Sequence, residues 1–172
     1  MVEANLVVSY DPSHAGIAKE EVERVLKEVK QKFKFMKSEV DGLLKLRVTD
    51  PKKVVKDLTR LCKKKSELFD KTFNYVPIEK WCKSAMKDMT NAVKRLEKDI
   101  KKTEKWKMDL TKRKYDKGHT TELILKLTDV VDKPKVDLEK PEKIIKVEII
   151  GNKAGLALLK ADELLNVSKH KK

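Results

Sequence analysis

Glycine, cysteine and aromatic residues are scarce in this sequence of 172 residues. The five glycines form neither a G-x-G-x-x-G nor a G-x-x-x-x-G-K-[ST] loop, which are the usual dinucleotide- and nucleotide-binding motifs. The two cysteines, Cys62 and Cys82, lie far apart without a C-x-x-C motif, and the three histidines are scattered. This distribution argues against a zinc site and a disulfide framework, and it favours reduced thiols inside a cell.

Long apolar runs are also missing from the sequence. No segment approaches the length of a membrane-spanning helix, and the first residues lack the charged-then-apolar layout of a signal peptide. We therefore expect a soluble, cytoplasmic protein that does not associate with a membrane.

Positive charge, in contrast, is in large excess. There are 42 Lys and Arg against 28 Asp and Glu, a formal net charge of +14 and a pI near 9.6. Residues 71–117 alone hold 15 cations and 7 anions, which is more than half of the surplus. Such a surplus attracts polyanions, of which nucleic acid is the commonest. A surface rich in Lys and Glu from a heat-loving source is the alternative, but it explains total charge better than positive excess.

The pattern of residues 5–77 predicts a ferredoxin-like β-α-β-β-α-β unit. Asp41-Gly42, between the runs FKFMKSEV and LLKLRV, predicts a tight hairpin turn, because glycine accepts a positive φ. Asp50-Pro51 predicts the start of the second helix, since proline is tolerated in a first turn. The other expected elements are a strand at 5–10, a helix at 16–31 and a last strand closed by Pro77.

The second half predicts another set of helices and strands. Trp81, Ala85 and Met89 share a helical stripe, which indicates one or two helices between residues 79 and 101. The remaining expected elements are a strand at 104–112, a helix from about 120 to 131, a strand at 144–150, a turn at 151–155 and a last strand LALLK. We thus predict an α+β protein with a ferredoxin-like domain at 1–77 packed against an α/β domain at 78–166, followed by a frayed basic tail at 167–172.

The stretch KWKMDLTKRKYDKGH, residues 105–119, changes character half-way. Trp106, Met108 and Leu110 alternate with polar residues, the pattern of a strand with one buried face, so we expect Trp106 in a core. The following cations, Lys112–Lys114, should protrude beyond the sheet, just before Gly118 and the N-terminus of a helix. Unsatisfied N–H groups at such an end attract anions, so a phosphate site is expected there. The alternative is a solvated loop.

A family resemblance follows from these residues taken in order. The run EKWKMDLTKRKYDKGH, a helix, KPKVDLEKPEKIIKVEIIG and the turn GNKAG resemble the THUMP domain. The resemblance covers about residues 75–165, and its most specific parts are Trp106 with Lys112-Arg113 and Val136-Asp137-Leu138 with Pro141. More narrowly, the chain is similar to the stand-alone THUMP proteins that assist tRNA cytidine acetylation.

The resemblance implies an RNA-binding adaptor without a cofactor, metal or activity of its own. Such an adaptor presents tRNA to a separate RNA cytidine acetyltransferase that forms N4-acetylcytidine. Two alternatives stay open: a general structured-RNA-binding or ribosome-associated protein, and a self-contained tRNA-modifying enzyme. Asp137 and Glu139 give little support to the enzyme alternative, because no histidine or pocket glycine lies near them in the sequence. The candidate RNA-binding residues are Lys105, Lys107, Lys112, Arg113, Lys114, Tyr115, Lys117, Gly118, His119, Lys135 and Lys153.

The low aromatic content indicates which kind of RNA such a protein would recognise. Only 5% of residues are aromatic, and several of these fall at predicted core positions. Modules that read single strands stack bases on exposed aromatic side chains, whereas folded RNA is recognised through phosphates and shape. We therefore expect recognition of folded tRNA, with Tyr115 equally suited to packing or to stacking on an unpaired base.

Overall fold

The computed structural model describes residues 3–171, and this part of the chain divides into two compact units. The first unit consists of the chain up to Ile78 together with the segment from Asp162 onward, and the second is Glu79–Ala161. None of the helices within the described range combines the length and apolar character that a membrane-spanning segment requires.

The first unit has the predicted order of strands and helices. Its elements are β1 (Leu6–Tyr10), α1 (Ala15–Glu28), β2 (Phe33–Met36), β3 (Leu43–Val48), α2 (Pro51–Lys64) and β4 (Thr72–Pro77). The sheet order β2-β3-β1-β4 is antiparallel throughout, as in ferredoxin-like folds. The Asp50 side chain accepts a hydrogen bond from the backbone N–H of Lys53, and Pro51 occupies the first turn of α2, so this helix begins where the sequence predicts.

The connection between β2 and β3 is longer than predicted. Met36 is the last paired residue of β2, opposite Lys45, so Asp41-Gly42 does not form a two-residue hairpin turn. Gly42 nevertheless has a φ of +85°, and its carbonyl accepts a hydrogen bond from the Tyr10 N–H at 2.9 Å. The dipeptide marked the turn correctly, because Leu43 N donates to the Val40 carbonyl at 3.3 Å and Asp41-Gly42 are the central residues of that turn, which lies within a longer loop.

A buried carboxylate joins α1 to the start of β4. Glu21 accepts hydrogen bonds from the N–H groups of Asp70, Lys71 and Thr72 at 2.8–2.9 Å, and from the Thr72 hydroxyl at 2.6 Å. The Tyr75 hydroxyl donates to the same threonine oxygen at 3.0 Å. These donors compensate for the burial of the charge, so Glu21 has a structural role here.

The C-terminal segment completes the first unit, which corrects the predicted domain boundaries and, for residues 167–170, the predicted frayed tail; Lys172 lies outside the described residues. Leu165–Asn166 form strand β9, which pairs with β4, and Val167–His170 form a 3-10 helix. Leu165 and Val167 are buried in the core of the first unit. The sequence did not reveal this, because a two-residue strand has no periodicity.

The second unit is a four-stranded sheet with two helices. Its elements are β5 (Lys80–Lys83), α3 (Met86–Glu97), β6 (Trp106–Arg113), α4 (Thr120–Thr128), β7 (Lys143–Ile150) and β8 (Lys153–Leu159). The strand order is β5-β8-β7-β6, in which β6 and β7 are parallel and the other pairs antiparallel. This is the mixed α/β architecture that we expected for the second half.

Two helix predictions in this unit were wrong at their ends. The expected helix from residue 79 begins only at Met86, because Lys80–Lys83 pair with β8, a partner about 70 residues further along the chain. The spacing of Trp81, Ala85 and Met89 imitated a helical stripe. Helix α4 ends at Thr128, whose hydroxyl donates back to the Ile124 carbonyl at 2.7 Å.

The two faces of the second sheet differ in chemistry. Trp106, Met108 and Leu110 of β6 share a buried core with residues of α3 and α4, as their alternation predicts. The opposite face of β6 and β7 carries a polar network in which Lys146 and Glu148 are buried and Asp109 is partly exposed. Lys146 Nζ lies 3.2 Å from an Asp109 carboxylate oxygen and 3.3 Å from one of Glu148. Paired in this way, the buried charges of β7 are compensated.

Candidate nucleic-acid interface

Strand β6 extends one residue beyond its predicted end at 112. Lys112 and Arg113 lie in register with Ile149 and Ile150 of the parallel strand β7, so both belong to the sheet. Both cations are half-buried, which contradicts the expectation that they protrude beyond the sheet. The parallel partner strand holds them, and nothing in the local sequence shows that partner.

The three consecutive cations therefore differ in their environments. Lys112 Nζ donates to the Gly118 carbonyl at 2.7 Å, which ties the strand to the segment before α4. Arg113 Nη1 lies 3.4 Å from a Glu148 carboxylate oxygen that also accepts a hydrogen bond from Thr111. Lys114 is exposed and has a φ of +53°, so the chain turns away from the sheet at this residue.

An open groove of about 700 Å³ lies at this end of the sheet. Three segments form it: the connection from β5 to α3, the loop after β6, and the turn between β7 and β8. The lining residues are Lys83, Ser84, Ala85, Lys114, Tyr115, Asp116, Lys117, Gly151 and Asn152. The carboxyl ends of the parallel strands β6 and β7 meet at this edge, which is where α/β folds commonly bind ligands.

Hydrogen bonds connect the three segments. Gly151 N donates to the Arg113 carbonyl at 2.8 Å, and the Ser84 hydroxyl donates to the Gly151 carbonyl at 2.8 Å. Ser84 N donates to the Asn152 carbonyl at 3.0 Å, and the Tyr115 hydroxyl donates to the Ser84 carbonyl at 3.2 Å. The backbone around the groove is therefore held in place by its own contacts, so a ligand does not have to order it.

Positive charge dominates the groove. Its cations, Lys83, Lys114 and Lys117, are all exposed, and Asp116 is the acidic residue among the lining residues. Lys83 also lies directly opposite Lys153 in the antiparallel pair of β5 and β8. Like charges in that position repel each other, so a bound anion would relieve the repulsion.

The helix end that opens at the groove belongs to α3, whereas the sequence pointed to α4. Ala85 is the N-cap of α3, and no side chain among the described residues caps this end. Asp88 in the first turn partly offsets the positive end of the helix dipole. His119, the N-cap of α4, and Gly118 do not line the groove; a Cβ added to Gly118 would lie 3.2 Å from the Leu123 side chain.

The structure does not bring all the predicted site residues together. Lys105, Lys107 and Lys135 lie toward the other end of β6, where Trp106 N donates to the Lys135 carbonyl at 2.9 Å. Lys105 is 3.8 Å from the Asp137 carboxylate. At about 3.3 Å per residue, Lys105 and Arg113 are about 25 Å apart along the strand. These three lysines therefore form no single site with the groove.

Trp106 is a core residue, as predicted. It is 3% exposed, and its indole Nε1 donates to the Lys133 carbonyl at 3.1 Å. Tyr115 packs partly against the same core, and its hydroxyl binds Ser84. Both contacts favour packing over stacking on a base for these two aromatic side chains.

Asp137 caps a turn. Its carboxylate accepts hydrogen bonds from the N–H groups of Lys140 and Glu139, both at 3.0 Å, and these bonds lower the pKa of the carboxyl.

No group of three or more His, Cys, Asp or Glu side chains suited to a metal ion occurs within residues 3–171. Burial raises the pKa of the Cys62 and Cys82 thiols, which keeps them protonated.

Sequence reasoning missed part of the groove. Lys83, Ser84 and Asn152 were not among the candidate residues, although they line it. Asn152 follows Gly151, whose φ is +60°, and this turn was visible in the sequence as a glycine-bounded segment. Lys83 gave no signal, because β5 itself was predicted to be helical.

The THUMP domain family model matches residues 83–159. No curated protein sequence gives a significant match to the chain.

Solved structures show the same fold at low sequence identity. PH1313 from Pyrococcus horikoshii Ot3 aligns with a TM-score of 0.61 and 14% identity, over 91% of this chain and 55% of PH1313. TrmN from Thermus thermophilus aligns with a TM-score of 0.57 and 12% identity, over 89% of this chain and 44% of TrmN. A possible methylase from Clostridium difficile 630 gives 0.56 and 11% identity, over 91% of this chain and 41% of that protein.

The chain thus spans about half the length of the first two of these structures. The family model covers the second unit from the last residue of β5 to the last residue of β8 and includes every residue that lines the groove. The resemblance to the THUMP domain is thereby confirmed for residues 83–159.

Proposed function

We propose that this protein is a tRNA-binding adaptor whose second unit holds the phosphate backbone in the groove at the end of β6. The observation that carries the proposal is the placement of three exposed lysines on a groove whose backbone is already fixed by hydrogen bonds. A phosphodiester supplies the anionic oxygens that such donors bind, and lysines act there as point charges.

Folded RNA suits this groove better than an unpaired strand. Single-strand binding relies on exposed aromatic platforms, and the one aromatic residue of the groove, Tyr115, has its hydroxyl bound to Ser84. Lysines that contact phosphates fix the position of the RNA backbone and make no sequence-specific contact with base edges. Transfer RNA, with a constant shape and varied sequence, fits this mode of recognition.

The proposed partner is a separate RNA cytidine acetyltransferase, which receives the tRNA from this protein and forms N4-acetylcytidine. This part of the proposal rests on the similarity of EKWKMDLTKRKYDKGH and the following segments to stand-alone THUMP proteins with that role. According to this proposal, the chain binds and orients tRNA, and the partner enzyme carries out the acetyl transfer.

Binding to tRNA should be tested with a variant of the groove, Lys83→Ala with Lys114→Ala and Lys117→Ala. These side chains are exposed, so the variant should fold like the parent. A variant of Lys112 and Arg113 would be less informative, because both are half-buried and bonded. The matched control, Lys94→Ala with Lys98→Ala and Lys102→Ala, removes three exposed cations of the same unit away from the groove.

The groove variant should bind a tRNA transcript more weakly, and the slope of log K against log salt should become shallower by about two to three units. The control should change both quantities much less. Equal effects of the two variants would mean that only general charge attracts the RNA. Competition by ribosomal RNA or generic double-stranded RNA as strong as by tRNA would favour a general structured-RNA-binding protein.

The adaptor role requires a separate assay. Purified protein, tRNA, acetyl-CoA and ATP should give N4-acetylcytidine only when an RNA cytidine acetyltransferase is added, and the groove variant should support less product. Product without the added enzyme would show that the chain is itself a tRNA-modifying enzyme. An added enzyme that works equally well without the chain would refute the adaptor role.

A further inference from the structure

A second cationic surface lies in the first unit, at the outer edge of its sheet. Strand β2 is the edge strand, and in its pairing with β3 Lys34 lies directly opposite Arg47. Both side chains are exposed. Directly opposed like charges destabilise a strand pair, so this arrangement has a cost that a bound anion would remove.

A groove of about 400 Å³ accompanies this pair. The residues that line it are Lys32, Phe33, Lys34, Arg47, Val48 and Thr49, so three cations and no acidic residue form its wall. Lys32 and Lys34 are two residues apart, about 7 Å in an extended chain. Successive phosphates of a nucleic-acid strand are separated by a distance of the same order.

Several other cations of this unit form ion pairs with acidic side chains. Lys53 lies 3.1 Å from the Asp57 carboxylate, and Lys56 lies 3.6 Å from that of Glu163. Within residues 3–171, no ion pair joins Lys32, Lys34 or Arg47 to an acidic side chain.

Arg47 makes a hydrogen bond to the backbone and keeps other N–H donors with which it can bind an anion. Its Nη1 donates to the Glu3 carbonyl at 3.0 Å, which fixes the guanidinium against the backbone. An arginine has five N–H donors, and its planar fork fits two phosphate oxygens at once. Phe33, which also lines the groove, packs against the core of the unit.

We infer that this edge groove binds the phosphodiester backbone of RNA and is a second RNA contact, separate from the groove of the second unit. The inference rests on the proposed function, because it assigns a further part of the same chain to the same ligand. Phosphate contacts in each groove then release counterions, and both sets of contacts strengthen the binding of RNA.

The test uses the full chain and two variants of the edge groove. Lys32→Ala with Lys34→Ala leaves Arg47 and its contact with the Glu3 carbonyl intact, and adding Arg47→Ala removes the third charge. With a tRNA transcript, the double variant should make the salt slope shallower by about one to two units and the triple variant by about two to three. Thermal unfolding should confirm that both variants fold like the parent.

A second measurement locates the contact directly. Acetylation by an amine-reactive ester, read by mass spectrometry, should show that tRNA protects Lys32 and Lys34. Lys27, an exposed lysine of α1 outside the groove, should be labelled equally with and without tRNA.

The possible failures have different meanings. A parent that binds tRNA through the groove of the second unit, with Lys32 and Lys34 unprotected and the double variant unchanged, would refute the edge contact and leave the proposed function standing. A parent that does not bind tRNA would refute both. Protection by polyglutamate equal to that by tRNA would overturn the assignment to RNA in favour of an acidic protein segment.

Discussion

Lys114 is the residue at which binding and folding can be separated most cleanly. It is exposed, lines the groove and has a φ of +53°, a backbone conformation that costs a non-glycine residue about 1–2 kcal/mol. Its neighbours Lys112 and Arg113 are half-buried and bonded, so changing them would alter the strand as well as the charge.

Replacing Lys114 by glycine should therefore weaken tRNA binding without harming the fold. Glycine removes the left-handed strain and loses more entropy on folding, so we expect a net gain of up to about 1 kcal/mol in the free energy of unfolding. The salt slope of tRNA binding should become shallower by about one unit. Urea unfolding and salt-dependent binding measure the two effects.

Lys30→Gly is the matched control for that substitution. Lys30 also has a positive φ, +58°, and is exposed, but it lines neither groove. It should show a similar change in stability with unchanged tRNA binding. Equal loss of binding in both glycine variants would show that Lys114 makes no specific contact.

Substitutions of Trp106 should change the stability of the fold, because its side chain lies in the core. Removing this buried side chain should lower the free energy of unfolding by about 3–5 kcal/mol, through lost burial and a cavity. Trp106→Phe should cost less, because it keeps much of the burial and loses the hydrogen bond to the Lys133 carbonyl. Parent-like unfolding of the alanine variant would place this side chain outside the core.

At the scale of elements, the short strand β9 tests whether the C-terminal segment belongs to the first unit. Leu165 is 0% exposed and lies in the core formed with α1, α2 and β4. Leu165→Ala should therefore lower the free energy of unfolding by about 2–5 kcal/mol. Leu138→Ala, at a residue that is 71% exposed, should change it by less than about 0.5 kcal/mol. Equal effects in urea unfolding would contradict this assignment.

The turn before β7 should contribute an acid-sensitive part of the stability. Hydrogen bonds from the Lys140 and Glu139 N–H groups lower the pKa of Asp137 in the folded state. A lowered carboxyl pKa stabilises the fold above the unfolded pKa of about 4, and the stabilisation disappears as the pH falls through the folded value.

Asp137→Asn should keep the hydrogen-bond acceptor and remove the titration, so unfolding free energy should fall less steeply with acid than in the parent. Asp137→Ala should be less stable than the parent at neutral pH and approach it at low pH. Urea unfolding at a series of pH values measures both. Parallel pH profiles of the parent and the asparagine variant would contradict the prediction.

At the scale of the whole molecule, a net charge of +14 should make tRNA binding strongly salt-dependent. If about four to six phosphates are neutralised, log K should fall with log salt at a slope of about −3 to −5. Binding titrations of the parent protein over a range of salt concentrations measure the slope directly. A slope near zero would contradict an electrostatic interface.

Much of the fold was predictable, because it follows from local patterns. Apolar periodicity identified α1, α2 and the buried face of β6, and Asp50-Pro51 marked the start of α2. These features depend on residues close together in the chain, whose spacing and capping chemistry are visible in the sequence.

The rest depended on partners that are distant in the chain. Strand β5 exists because β8 pairs with it, and β9 exists because β4 does, although four- and two-residue strands carry no readable period. The sequence by itself determined the charge surplus, the main helices and the THUMP resemblance. Only the tertiary structure decided which cations share a surface, because hydrogen-bonded segments far apart in the sequence bring Lys83 to Lys114 and leave Lys105 at the other end of the same strand.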